Sequence, residues 1–271
     1  MNPVSGSHAI ELVIDGETVD IDYAWVGSVA SPKPLIVFLH EGLGSISMWR
    51  EFPAQLCSAL GCPGLVYSRS GYGNSAMVTG QREWVPNYLH GEALDVLPAL
   101  LRALAIDPAE RPLWLLGHSD GGSIALIHAA HLPGQAAGLI VLAPHIMVED
   151  VTIRSIERAR DAYIDGSLRS GLARHHADPD ATFWRWNRMW LSPEFRSWSI
   201  EDEIGAIRCP VLAIQGKDDP YGTMEQIYGI ERRVAKTRLV ELDNCAHSSH
   251  RDQPERLIAE IRSFLELSHV G

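Results

Sequence analysis

The chain has 271 residues, 46% hydrophobic and 21% charged, with a formal net charge of -11. That length and apolar share suffice for one sizeable core, so a single domain is expected. The acidic balance leaves no basic footprint for nucleic acid or an anionic membrane surface, and points to a small-molecule partner that is neutral or only locally charged. No apolar run is long enough to span a bilayer, and Met1 to Ile10 has neither the basic start nor the apolar core of an export signal. Cys57, Cys62, Cys209 and Cys245 form no CxxC pair and make no disulfide framework. The expectation is a soluble, cytoplasmic protein with reduced thiols; a homodimer stays open.

Ala9 to Ile14 and Thr18 to Val26 alternate around Asp15-Gly16-Glu17, which predicts an antiparallel hairpin. Leu35 to Leu39 is a continuous apolar run, expected as a strand buried on both faces. A helix is expected over Ser47 to Leu60, a strand over Leu65 to Tyr67, and an amphipathic helix from about Glu92 to Leu104, where Leu94, Leu97, Leu101 and Leu104 share one face. The strand Leu113 to Leu116 runs through Gly117-His118-Ser119-Asp120-Gly121 into a helix over Gly122 to Ala130. Strands over Gly138 to Leu142, Val211 to Ile214 and Leu239 to Leu242 follow, with a closing helix over Pro254 to Leu267. Strands alternating with helices predict an α/β fold with a mainly parallel sheet covered on both faces.

Residues 149–205 break this rhythm. They show helical patches and no convincing strand, and they hold Trp184, Trp186, Trp190 and Trp198, half of the eight tryptophans. The segment reads as a helical lid inserted into a core formed by residues 1–148 and 206–271. Its tryptophans either form the insertion's own small core or wall an apolar pocket.

A strand, a Gly-x-Ser-x-Gly turn and a helix in immediate succession are what a nucleophile elbow requires, because only glycine-sized neighbours let strand and helix approach so closely. Ser119 would stand at the tip, beside a helix N-terminus whose N–H groups favour an oxyanion. A serine hydroxyl is a weak nucleophile at neutral pH, so a histidine base and an orienting carboxylate should follow later strands. Gly216-Lys217-Asp218-Asp219-Pro220 and Asp243-Asn244-Cys245-Ala246-His247 occupy those places. His128 and His131 lie on the elbow helix, and His175-His176 in the insertion. His247-Ser248-Ser249-His250 has compact spacing but no third ligand near it, so no metal or cofactor is expected.

Over nearly its whole length the chain resembles the α/β-hydrolase fold superfamily. His40-Glu41-Gly42-Leu43-Gly44-Ser45 resembles its His-Gly-x-x-Gly-Ser loop, and Ser68 to Ser75 is similar to its Asp-x-Arg-Gly-x-Gly-x-Ser segment, with a departure at Ser70. The family's Gly-x-x-Asp signature implies Asp219 as the acid, and its His-x-x-x-x-Glu/Asp-x-Pro signature fits His247, Asp252 and Pro254 rather than His250. The resemblance implies a serine hydrolase in which Ser119 is the nucleophile, His247 the base and then acid, and Asp219 its orienting carboxylate. The N–H groups of Gly42 and Asp120 are the implied oxyanion donors.

Glu41 stands where the family usually has glycine, and either turns to solvent or a salt bridge or projects toward the pocket mouth. His40 is expected to brace its loop and His118 to pack locally. His145, just past a strand end, is expected to line the substrate site with Trp184, Trp186 and Trp190. The expected activity is hydrolysis of a small hydrophobic or aromatic carboxylic ester. Serine at 119 disfavours the aspartate chemistry of haloalkane dehalogenases and epoxide hydrolases. Thioester or lactone hydrolysis, perhydrolysis, carbon–carbon cleavage of a meta-cleavage-type product, and a lid-switching receptor with slow single turnover stay open.

Overall fold

The computed structural model describes residues 6–14, 16–78 and 85–268. In chain order the elements are β1 (His8–Ile14), β2 (Glu17–Val26), β3 (Leu35–Leu39), α1 (Phe52–Leu60), β4 (Gly64–Tyr67), α2 (Tyr88–Gly91), α3 (Leu97–Ala103), β5 (Leu113–His118), α4 (Asp120–His131) and β6 (Gly138–Leu142). Then come α5 (Asp150–Ile164), α6 (Ser167–Leu172), α7 (Pro179–Trp190), β7 (Val211–Gly216), α8 (Glu225–Arg233), β8 (Thr237–Leu242), α9 (Ser249–Asp252) and α10 (Pro254–Ser268). The strands form a single sheet in the order β1-β2-β4-β3-β5-β6-β7-β8. Only β2 runs against its neighbours, β1 and β4; every later pairing is parallel.

The parallel strands β3, β5, β6 and β7 are buried at every residue, because both faces of the sheet are covered. Their side chains alternate between two cores. Leu35, Val37, Leu39, Leu113 and Leu115 meet the apolar faces of α3, α4 and α8 on one side. Ile36, Phe38, Trp114 and Leu116 meet Phe52 and Leu56 of α1 and Leu257 and Ile261 of α10 on the other. A period of two along each strand thus divides one apolar run between two layers.

Three local expectations are corrected. The helix expected over Ser47 to Leu60 is broken at Arg50, whose φ of 53° separates a 3-10 turn (Ile46–Trp49) from α1. The helix expected from Glu92 begins earlier, at Tyr88, and passes from α2 to α3 through a π-helical turn over Glu92–Val96. The third is α8, where no element was expected. Of the hairpin turn, Asp15 lies outside the described residues, as do residues 1–5 of the N-terminal segment read for an export signal. Among the described residues, no helix is long and apolar enough to cross a membrane.

Residues 143–210, between β6 and β7, carry α5, α6, α7 and two 3-10 turns (Phe195–Ser197 and Ile204–Ala206) but no strand. Within five residues of the C-terminal ends of β3, β5, β6, β7 and β8 stand Glu41, Ser119, His145, Asp219 and His247. In open parallel sheets that edge is where a crevice forms.

Candidate active site

Ser119 follows the last residue of β5 and precedes the first of α4, with φ 52° and ψ −117°, a conformation that L-residues rarely adopt. Such strain costs on the order of 1–3 kcal/mol and persists only where surrounding structure enforces it. The enforcement is visible here. A Cβ on Gly117 would overlap the Gly121 carbonyl, and a Cβ on Gly121 would overlap the Leu39 carbonyl. The Ser119 N–H donates to the Leu142 carbonyl at 2.9 Å, tying the turn to β6.

His247 Nδ1 lies 2.9 Å from both carboxylate oxygens of Asp219. Asp219 also accepts from the Tyr221 N–H at 2.8 Å, and the Gln215 side-chain amide approaches it at 3.4 Å. Burial alone would raise the Asp219 carboxyl, but the charge and hydrogen bond of His247 outweigh it and hold the group below its ordinary value. Asp252 accepts from the Ala246 N–H at 2.9 Å, closing the turn that presents His247. His250 points elsewhere, into a nest of Trp49, Phe52 and His118 rings.

Ser119 and His247 open on one cavity of about 190 Å³, lined also by Gly42, Asp120, Glu41, His118, His145, Trp186 and Trp190. An apolar cavity of about 150 Å³ holds a benzene ring, so this one suits a small acyl or aryl group. His145 is 3% exposed, its ring 5.1 Å from Trp190 and 6.0 Å from His247. Burial, reinforced by the charge of His247, pushes its pKa down to about 3, so the ring is neutral at neutral pH. Trp186 packs so closely on Gly42 that a Cβ there would overlap the indole Nε1.

Trp184, expected at the substrate site, does not line the cavity. It packs edge-on against Tyr163 and Phe183 and beneath the Arg188 guanidinium. The reason is helical phase: on α7, Trp186 and Trp190 are four residues apart on one face, and Trp184 lies on another.

Glu41 does both things weighed for it. It lines the cavity, and its Oε2 lies 3.5 Å from Nδ1 of the buried His118. Burial would raise this carboxyl, but the contact with His118 prevails and holds it well below the usual range. His118 in turn donates from Nε2 to the His247 carbonyl at 2.8 Å, so the elbow and the His247 loop are joined through it. His40 donates from Nδ1 to the Glu41 carbonyl at 2.8 Å and accepts the Arg69 N–H at Nε2 at 3.0 Å, which fixes a neutral tautomer. Burial and the neighbouring Arg69 both depress its pKa.

Beneath the oxyanion-loop candidate lies a buried ion pair that sequence reasoning missed. Arg69 and Asp120, each 1% exposed, approach to 3.4 Å, and Tyr88 donates its hydroxyl to the same Asp120 oxygen at 3.0 Å. Arg69 also donates to the Glu41 carbonyl at 2.9 Å. Burial raises the Asp120 carboxyl and Arg69 opposes the rise. Thr152, Ile156 and Tyr221 are further cavity residues that were not foreseen. Tyr221 was within reach, two residues past Asp219; Thr152 and Ile156 carry no readable signal beyond their four-residue spacing on α5.

Residues 36–260 match the model of the "Alpha/beta hydrolase family". Human monoglyceride lipase is 33% identical over 117 residues, which are 43% of this chain and 37% of that protein. The 2-succinyl-6-hydroxy-2,4-cyclohexadiene-1-carboxylate synthase of Enterobacter sp. (strain 638) is 24% identical over 252 residues, 86% of this chain and 92% of that one. A solved structure from a study of carboxylesterases of Nitrososphaera gargenis superposes with a TM-score of 0.76 at 21% identity, covering 96% of this chain and 99% of that one. The matched span takes in every strand from Ile36 of β3 onward and both halves of the cavity; the chain belongs to the alpha/beta hydrolase family.

Proposed function

We propose that the chain is a serine hydrolase that cleaves a small hydrophobic or aromatic carboxylic ester in two acyl-transfer steps. The observation that carries this reading is the opening of Ser119, held in its strained turn, and of His247, anchored at 2.9 Å by Asp219, on one cavity. Ser119 Oγ attacks the acyl carbon while His247 Nε2 takes its proton. Asp219 holds Nδ1–H and stabilises the imidazolium. His247 then protonates the leaving alcohol, and water repeats the sequence on the acyl-enzyme.

The N–H groups of Gly42 and Asp120 stabilise the oxyanion, with Asp120 at the N-terminus of α4 where the helix dipole adds to the effect. The packing of the Trp186 indole nitrogen against Gly42 supports its N–H as a third donor. Residues 149–205 act as a lid. Thr152 and Ile156 of α5, with Trp186 and Trp190 of α7, supply its inner surface.

Substrate charge follows from the lining. Among the described residues no lysine or arginine borders the cavity, and Glu41 places a carboxylate there. That setting favours a neutral acyl group over a polycarboxylate of the kind named for the Enterobacter relative. Four free thiols support a reducing, cytoplasmic setting. The test is a p-nitrophenyl ester series from acetate through longer and aromatic acyl groups, run on the parent and on Ser119→Ala. The reading requires turnover that peaks at a short or aromatic acyl group and disappears in the variant; equal turnover in Ser119→Ala overturns it.

A further inference from the structure

We propose that His90, His131 and Glu203 form a binding site for one divalent transition-metal ion of the zinc class, separate from the cavity. His90 Nε2 lies 2.9 Å and His131 Nε2 2.8 Å from the same Glu203 oxygen, Oε2. The three ligand atoms all fall within 4.8 Å of one another. None of the three residues borders the cavity of Ser119. His131 is the last residue of α4, about 18 Å along the helix axis from the elbow at a rise of 1.5 Å per residue.

The donor set fits such an ion. Two imidazole nitrogens and one carboxylate oxygen, with a fourth position left to water, are the ligands of open zinc sites. Zinc-to-ligand lengths are about 2.0–2.2 Å, and the 2.9 and 2.8 Å contacts to Glu203 Oε2 bring the three donors close enough to converge on one ion. The side chains are 22%, 42% and 31% exposed for His90, His131 and Glu203, so an ion has a path in and room for a water ligand. The Nδ1 of His90 is buried with no partner among the described residues, and its Nε2 makes the contact to Glu203, so the ring is already aimed at the site. Soft ions that prefer thiolate ligands, such as Cu⁺, and hard Mg²⁺ or Ca²⁺ are poor matches for a site dominated by imidazole.

The three ligands come from three separated segments. His90 is on α2, His131 ends the elbow helix, and Glu203 precedes the 3-10 turn Ile204–Ala206 that returns the chain from its helical segment to β7. A bound ion staples the root of residues 149–205 to the helix that carries the elbow. It touches none of the cavity residues, so it acts on the stability of that junction and leaves basal ester turnover unchanged.

The test titrates Zn²⁺ into chelator-stripped protein in competition with a chromophoric zinc indicator, alongside thermal unfolding with and without Zn²⁺. One equivalent should bind, and Zn²⁺ at about 100 times its dissociation constant should raise Tm by about 5 °C. His131→Ala, at the most exposed of the three positions, should keep the metal-free Tm and weaken Zn²⁺ binding at least tenfold. Glu203→Gln should weaken binding by a similar factor. Binding absent up to millimolar Zn²⁺ overturns the proposal. So does binding of unchanged strength in both variants, which would mean that the ion sits elsewhere, as among the histidines around His247.

Discussion

Replacing Arg69 by methionine keeps most of the side chain's volume and removes the guanidinium that faces the Asp120 carboxylate, while the Tyr88 hydroxyl still donates to that group. Both members of the pair are 1% exposed, so water cannot take Arg69's place. Removing one partner of a buried pair costs about 3–5 kcal/mol, mostly the penalty of an uncompensated charge. At roughly 2–4 °C per kcal/mol for a chain of this size, Tm should fall by about 10 °C. Asn at 120 abolishes that bare charge, so Arg69→Met/Asp120→Asn should recover at least half of the loss.

The pH dependence has a definite sign. Burial already raises the Asp120 carboxyl against the pull of Arg69, and without Arg69 it rises further. A carboxyl whose folded pKa lies above its unfolded value of about 3.9 stabilises the fold only while protonated. The deficit of Arg69→Met should therefore be full above the raised folded pKa and shrink as pH falls toward about 4. Urea unfolding followed by circular dichroism, at pH 7.5 and at pH 5, measures both effects. A single variant within about 1 kcal/mol of the parent, or a double variant less stable than the single, would refute the reasoning.

Asp219→Asn removes the charge that stabilises the His247 imidazolium and should lower kcat by about 10⁴ with little change in KM, measured on the best p-nitrophenyl ester. Trp186→Phe retains an aromatic wall but loses the N–H beside Gly42. It should lower kcat about 10- to 100-fold, whereas Trp184→Phe, outside the cavity, should leave kinetics near the parent's. Gly121→Ala forces a methyl group into the Leu39 carbonyl and should prevent accumulation of folded protein, read as loss of soluble, cooperatively unfolding material. His145 and His250, both buried, have pKa values pushed down to about 3 by burial, so each stays neutral in the fold and charges in the unfolded chain. Stability should accordingly fall as pH drops from about 6.5 toward 3, by about 1.4 kcal/mol per pH unit for each ring. His250→Asn should flatten that slope in urea midpoints measured from pH 6.5 to 4.5.

What could be read from the sequence follows from which signals are local. The buried strands announce themselves because two-sided burial demands unbroken apolar runs, and Leu35 to Leu39 or Gly138 to Leu142 admit few other readings. The elbow is legible because its steric demand falls on Gly117 and Gly121, close in sequence. By contrast α8 was passed over: Ile227, Ile230 and Val234 do carry a helical period, but Gly229 and a polar surround mask it. A Cβ on Gly229 would meet the Cδ1 methyl of Ile146.

The Arg69–Asp120 pair joins residues 51 positions apart, and no local pattern encodes such a meeting. The same holds for the His118 bridge to the His247 carbonyl, 129 positions away. Trp184 illustrates the opposite failure. Composition marked a tryptophan-rich segment, but only helical phase decides which rings face inward.

The central claim is tested most directly by reacting the parent, Ser119→Ala and His247→Ala with a fluorophosphonate probe and locating the adduct by peptide mass spectrometry. The account predicts one adduct, on Ser119 of the parent, absent from Ser119→Ala and formed at least a thousandfold more slowly in His247→Ala. Equal labelling of all three proteins, or an adduct on any other residue of the parent, would contradict it.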